Sequence, residues 1–172
     1  WALRCNPSSG NLHPTEAYVI VVGCEGILDG VHHYVSRDHV LEQRCGFAVT
    51  HNNAISCLPP DSFLLGLTSI PWREAWKYGE RAYRYCQHDA GHAIAAVRYA
   101  AATLGWQVRM LSTWADAAIG AMLGVDRAAD FGAAEREHPD VMLLVTAQPM
   151  SADIASFSPD VLLRVINTGS WQ

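Results

Sequence analysis

The stretch KYGERAYRYCQHDAGH, Lys77 to His92, holds two sets of reactive side chains that imply different chemistry. Its tail puts His88 and His92 four residues apart, a spacing that brings both imidazoles to one face of a helix, as two metal ligands require. Its head sets Lys77 against Tyr78, an amine and a phenol placed for proton transfer. The metal reading is the weaker. In the zinc-protease signature H-E-x-x-H a glutamate is the base, and Asp89 stands in its place, one methylene shorter. Glu135 and His138 are available as further ligands but have no characteristic spacing. Arg81 and Arg84 fall on the same helical stripe as the two histidines, and guanidinium charges disfavour a divalent cation. The stripe reads as polar surface with hydrogen-bonded histidines, and no metal is expected. A zinc hydrolase using His88 and His92 is the least favoured alternative.

The proton-transfer reading sets its own condition. A lysine serves as a base only where burial or a neighbouring cation lowers its pKa from about 10.4 toward neutrality, with Tyr78 orienting it or relaying the proton. Without further context the pair is a surface lysine beside a packing tyrosine. A second cluster lies upstream, in Pro7-Ser8-Ser9-Gly10-Asn11-Leu12-His13-Pro14. Small residues at Ser8, Ser9 and Gly10 let backbone N–H groups come close to a flat ring or a phosphate. Asn11 adds an amide that both donates and accepts. Taken alone, such a run is turn chemistry.

Positioning these groups falls to an irregular alternation of strands and helices. Residues 4–15 form a Pro/Ser/Gly/Asn loop. Glu16 to Cys24, EAYVIVVGC, is rich in β-branched residues and predicts a buried strand. Gly30 to Ser36 and His39 to Arg44 predict a hairpin about Arg37-Asp38. Phe47 to Leu58 reads as a helix stopped by Pro59-Pro60, and Leu64 to Ile70 as a strand. Pro71 suits the first turn of a short helix that Gly79 ends. A long helix is predicted from Glu80 to Leu104, with Ala90, Ile94, Val97 and Ala101 at helical spacing. Its second half is apolar nearly all round, which makes it the buried central helix. Gln107 to Leu111 predicts a short strand, Ala115 to Leu123 a helix closed at Gly124, Val141 to Ala147 a buried strand and Asp160 to Ile166 a last helix. The pattern points to α+β or mixed α/β.

Bulk properties narrow the function classes. The 172 residues suffice for one domain, 1–172, with a sizeable core, and half of them are hydrophobic. A formal charge of −5 argues against nucleic acid or anionic lipid as the main partner, because phosphate binding needs basic surface. No apolar run approaches the roughly 18 residues of a membrane span. Cys5, Cys24, Cys45, Cys57 and Cys86 are scattered, odd in number and free of C-x-x-C. That argues against a disulfide framework or zinc knuckle and suits a reducing cytoplasm. Beginning at Trp1, the sequence reads as a piece of a longer protein.

The Pro7–Pro14 loop resembles the P-S-x-x-N-x-Q-P loop of the nitroreductase superfamily of flavin enzymes, with His13 where Gln is usual and Thr15 in place of an aromatic residue. Three blocks in order look like the SagB-type branch: R-x-x-P-S-S-G-N-L-H-P-T-E-A-Y from Arg4, K-Y-G-E-R-A-Y-R from Lys77 and D-A-G-H from Asp89. That branch includes the azoline (thiazoline and oxazoline) dehydrogenases of ribosomal-peptide pathways. The resemblance runs from Arg4 to about Gly124. It implies an FMN-dependent oxidoreductase of α+β nitroreductase-like fold, with a mixed or antiparallel sheet around a buried helix at about 80–104. It also implies a homodimer with the flavin shared between subunits, and a small-molecule or peptide-heterocycle substrate.

Arg4, Pro7, Ser8, Ser9, Gly10 and Asn11 become cofactor-binding candidates by this resemblance, Asn11 complementing the O2/N3 edge of an isoalloxazine. Lys77 and Tyr78 match the pair linked to catalysis in the azoline dehydrogenases, where a hydride goes to flavin N5 and a proton to a base. The family's Gly-Gly or Glu-Gly step, whose amide contacts N5, is replaced by Leu111-Ser112-Thr113-Trp114, so Ser112 and Thr113 join the cofactor-binding set. The arginine-rich N-terminal segment that grips FMN phosphate in this family, and its basic C-terminal strand, are missing, which leaves Arg4, Arg109 and Arg164 for charge neutralisation. These departures imply the alternative: a catalytically degenerate module that serves as a scaffold in a peptide-modifying complex.

Overall fold

Side chains that alternate along the strands decide the architecture. The computed structural model describes residues 4–47, 58–149 and 158–172. Its strands are β1 (Thr15–Val21), β2 (Gly30–Val35), β3 (Val40–Gly46), β4 (Ser62–Ser69), β5 (Gln107–Met110), β6 (His138–Thr146) and β7 (Ser170–Trp171). They form one seven-stranded sheet in the order β5-β6-β4-β1-β2-β3-β7, with every neighbouring pair antiparallel. The helices are α1 (Trp72–Tyr78), α2 (Ala82–Thr103), α3 (Asp116–Leu123), α4 (Ala128–Phe131) and α5 (Pro159–Asn167). The fold is α+β, as the sequence predicts.

The central strands serve two cores with alternate residues. Tyr18, Ile20, Leu64, Met142 and Leu144 pack with Ile119, Met122 and Leu123 of α3 and Leu162 and Ile166 of α5. The intervening residues Ala17, Leu65, Leu67, Val141 and Leu143 pack with Ala93, Ile94 and Val97 of α2. Strands that are covered on both faces need apolar residues at every position, which is why β6 runs VMLLV without a break.

The predicted strands and helices appear at shifted boundaries. The strand expected to reach Cys24 ends at Val21, because the chain turns at Gly23 with φ 69°. The hairpin turns between Val35 and Val40, with His39 in the left-handed region at φ 57°. Gly79, at φ 57°, ends α1 as expected and leads through a single 3-10 turn into α2. The helix predicted at Phe47–Leu58 falls almost entirely on residues 48–57, outside the described residues. β7 and α4 were not expected; both are too short to carry a periodic signal.

The expectation of a buried helix at about 80–104 holds for one face of α2. Only Ala82, Cys86, Asp89, Ala90, Ala93 and Ala101 of α2 are buried, a single stripe against the sheet. Its outer side is open in the single chain, with Tyr99 76% and, just past its end, Leu104 64% exposed. An apolar surface calls for a cover, but a sequence does not say whether that cover is the same chain.

Register positions the functional end of the sheet. Thr15 of β1 pairs with Ser69 of β4, and Ile70 N–H donates to Pro14 O at 2.8 Å. The loop that enters β1 and the helix α1 that leaves β4 therefore emerge side by side.

The glycines give a stability test. Gly124 caps α3 at φ 73°, and a Cβ there would run into the ring of Trp171. Gly124→Ala should lower stability by about 2–4 kcal/mol, combining left-handed strain with overpacking. Gly91, inside α2 with open space around its Cα, should behave oppositely, Gly91→Ala adding about 0.5–1 kcal/mol. Urea denaturation of both variants checks the pair.

Candidate active site

The Pro7–Pro14 loop is held in a strained shape. Gly10, Asn11 and His13 all have left-handed φ, at 61°, 59° and 49°, which side chains adopt only where local bonds compensate. Those bonds are present. Asn11 N–H donates to Ser8 O at 3.1 Å, His13 N–H to Ser8 Oγ at 2.9 Å, and the His13 ring Nε2 pairs with Asn11 Oδ1 at 2.7 Å. The D-A-G-H block of α2 braces the loop: Ser9 N–H donates to Asp89 Oδ1 at 3.2 Å, and His92 Nδ1–H to Pro7 O at 3.2 Å.

Lys77 and Tyr78 close over this loop. A Cβ built on Gly10 would lie 2.5 Å from Lys77 Nζ and 2.6 Å from Tyr78 Oη, so both side-chain tips rest against the glycine, whose φ of 61° favours it there. Lys77 Nζ stands 5.3 Å from the centre of the Tyr78 ring, which packs on Tyr85 at 4.3 Å between centroids. The three sequence blocks thus meet at one point. Lys77 is exposed in the single chain, so the burial that a lysine base requires is not supplied by the described residues.

Beneath the pair lies a polar cluster that sequence reasoning missed. Glu74 of α1 is fully buried and Asp89 of α2 is 1% exposed, with Cys86 buried beside them. Burial, and then the charge of Asp89, push the Glu74 carboxyl above its ordinary value, against the pull of Lys77. The Cys86 thiol is pushed up to about 11, by burial first and then by Glu74, Asp140 and Asp89. The sequence WREAWKY carries no signal for it. With Trp72 and Trp76 four apart, pattern alone would turn the tryptophans inward, whereas both are exposed, at 58% and 61%, and Glu74 points in.

Arg4 and Arg73 belong to a second charge cluster, around Glu16. Arg73 Nη1 lies 2.5 Å, His33 Nε2 3.2 Å and Arg4 Nη2 3.7 Å from its carboxylate. Burial alone would raise the Glu16 carboxyl, but the His33 and Arg73 hydrogen bonds, with the charges of Arg73 and Arg4, prevail and hold it low. Arg73 also donates to His13 O at 2.9 Å and pairs with Glu135 at 3.2 Å, tying the loop to the sheet. Arg4 further donates to Thr15 O at 3.0 Å and Ser36 Oγ at 2.7 Å. An open groove of about 370 Å³ runs from Arg4 and Glu16 along Ala93 and Val97 of α2.

The remaining candidates stand apart from the loop. Ser112 and Thr113 are exposed in the turn that leaves β5, with no hydrogen bond to the loop among the described residues. Arg109 lies on β5 and Arg164 on α5. Among the described residues no three His, Cys, Asp or Glu side chains are grouped to hold a metal ion. His88 is exposed, with its ring 6.5 Å from that of Tyr85, and does not make the expected hydrogen bond among the described residues. No helix among the described residues is long and apolar enough to cross a membrane.

The donors present match one part of FMN. Ser9, Asn11, Leu12 and His13 spend their N–H groups inside the protein and Asn11 Oδ1 meets the His13 ring, which leaves Asn11 Nδ2, Lys77 Nζ and Tyr78 Oη beside Gly10. These suit the polar edge of a flavin ring. The phosphate finds no comparable cradle there, since Arg4 already holds three oxygen partners.

Comparisons with known proteins bear on the fold. No family model matches the chain. A curated protein of Methanocaldococcus jannaschii that carries the name of a nitroreductase is 29% identical over 104 residues, 58% of this chain and 52% of that protein. A solved structure from Anabaena variabilis, likewise named a nitroreductase, is 26% identical with a TM-score of 0.67, over 83% of this chain and 29% of that one. The Escherichia coli microcin synthetase McbBCD complex, with truncated pro-MccB17 bound, matches at 20% identity and a TM-score of 0.61, over 84% of this chain and 56% of that one. The chain spans about half the length of the curated relative. Together these likenesses support a nitroreductase-like family relationship.

The Glu16 cluster yields a stability prediction. Arg73→Ala leaves a buried carboxylate short of its nearest cation and should cost about 2–3 kcal/mol, below the value for a fully buried pair because Arg73 keeps partial solvent access. Glu16 is held below its ordinary 4.5, so its contribution is complete above that pH and is lost as pH falls through the lowered value. The advantage of wild type over Glu16→Gln should therefore shrink steadily below about pH 4.5 in acid-unfolding curves.

Proposed function

We propose that the chain is the catalytic part of an FMN-dependent oxidoreductase, most like an azoline dehydrogenase of the SagB type. The observation that carries this reading is the convergence of the Ser8–Asn11 loop, Lys77 and Tyr78 on Gly10. Bound there, FMN would supply a hydride acceptor at N5. Asn11 would meet the ring's polar edge and Gly10 would let the ring come close. Lys77 would take the proton that leaves the substrate as its hydride departs, with Tyr78 orienting the amine. Ser112 and Thr113 would face the flavin from their turn, and parts of the protein beyond this chain would neutralise the phosphate.

A homodimer is part of the proposal. The exposed apolar side of α2, with Tyr99 and the adjoining Leu104, gains a cover in a second copy, and Lys77 gains the burial a base needs. A likeness to a peptide-modifying assembly, the McbBCD complex, supports a peptide heterocycle as the substrate class. The second reading, a scaffold module without chemistry, is favoured by Arg4, whose guanidinium is spent on Glu16, Thr15 and Ser36.

Flavin content and turnover separate the two readings. The full-length protein should be yellow or take up FMN on titration, and Lys77→Ala should keep FMN while losing about 10²–10⁴-fold in turnover of an azoline substrate. A colourless protein that takes up no FMN, yet folds and binds its partners, would establish the scaffold instead.

A further inference from the structure

The chain holds a pair of carboxyl groups directly under the loop and the lysine. Glu74 comes from α1, one helical turn before Lys77, and Asp89 comes from α2. Glu74 is fully buried and Asp89 is 1% exposed. Of their four oxygens, Asp89 Oδ1 accepts the Ser9 N–H, and the other three have no partner among the described residues. The titratable groups that bear on the pair are Lys77 on α1, Cys86 on α2 and His13 of the loop, which meets the charge of Asp89. Asp140 of β6 bears on Cys86 and accepts from Ser69 Oγ and Gln87 Nε2.

Three orphaned acceptors are a contradiction only if both groups are ionised. A carboxylate accepts and cannot donate, whereas a protonated carboxyl also donates. Two carboxyls in Coulomb reach of each other, cut off from water, bind protons as one unit. Their environments differ. Asp89 accepts a backbone N–H, and Glu74 accepts none.

We propose that Glu74 and Asp89 act as one acid, sharing a single proton that resides on Glu74 at neutral pH, and that this pair positions Lys77 and the Ser9–Gly10 backbone. The single negative charge is divided between the Ser9 N–H and the Lys77 ammonium. Loss of the shared proton doubles the negative charge that faces Lys77. The role assigned to the amine rests on the proposed function; the shared proton does not.

Infrared difference spectroscopy of the full-length protein in H₂O and D₂O tests the proton directly and needs no flavin or substrate. At neutral pH wild type should show a protonated-carboxyl carbonyl stretch that shifts in D₂O. Glu74→Gln, which keeps shape and a donor, should fold and lack the band. Lys77 acylation by acetic anhydride, followed by mass spectrometry across pH, reads the coupling. Asp89→Asn removes the negative charge and should move the onset of Lys77 acylation to lower pH. A wild type without the band, or a band that survives in Glu74→Gln, overturns the shared proton. An acylation profile unchanged in folded Asp89→Asn overturns the link to Lys77. Should both behave as expected while Lys77→Ala retains full turnover, the carboxyl pair stands and the catalytic reading of Lys77 falls.

Discussion

The pairing of Thr15 with Ser69, extended by the Ile70 N–H to Pro14 O bond, is the constraint from which the rest of the candidate site follows. Two antiparallel strands leave their outgoing segments adjacent, so a loop and a helix far apart in sequence become neighbours. A slip of one residue would turn Ala17 and Leu65 toward α3 and move the loop off Lys77. The bulge in the β4–β6 pairing, at Leu67/Thr68, lets Pro139 sit in the strand without a ladder donor and turns Asp140 toward Ser69. Backbone pairing, more than any side-chain contact, assembles this end of the sheet.

On that frame the chain treats two buried glutamates in opposite ways. Glu16 is surrounded by Arg73, Arg4 and His33, its charge is compensated, and it works as a lock between the loop and the sheet. Glu74 receives no hydrogen bond and is raised by burial. A structural acid is normally satisfied; an unsatisfied one beneath a strained loop with three left-handed residues marks a place where stability has been set aside. The same division explains Arg4. Its resemblance to a phosphate-binding arginine and its observed bonds to Glu16 and Ser36 pull in different directions, and the described residues favour the structural role.

Much of this was legible in the sequence. Apolar and β-branched runs such as VMLLV and LLGLT give the central strands, and Gly79 and Gly124 mark helix ends because left-handed backbone favours glycine. The order of three blocks implies one site for the loop and Lys77-Tyr78, whereas Asp89 belongs there to a tail that reads as structural. What escaped was non-local. An apolar helix surface looks the same whether it faces its own sheet or open solvent, so the outer side of α2 was placed inside. Glu74 was invisible because one acid among the polar residues of a short helix carries no periodic signal, and only packing reveals which way it points.

The central claim is that the flavin ring binds at Gly10, beside Lys77 and Tyr78. Amide NMR of the ¹⁵N-labelled full-length protein, titrated with FMN, measures this most directly. The account predicts saturable shifts concentrated at Gly10 and Asn11, at the Lys77–Tyr78 segment and at Ser112–Thr113, with the interior strand β6 little affected. Saturable binding that leaves Gly10 and Lys77 unmoved while perturbing another surface would contradict it.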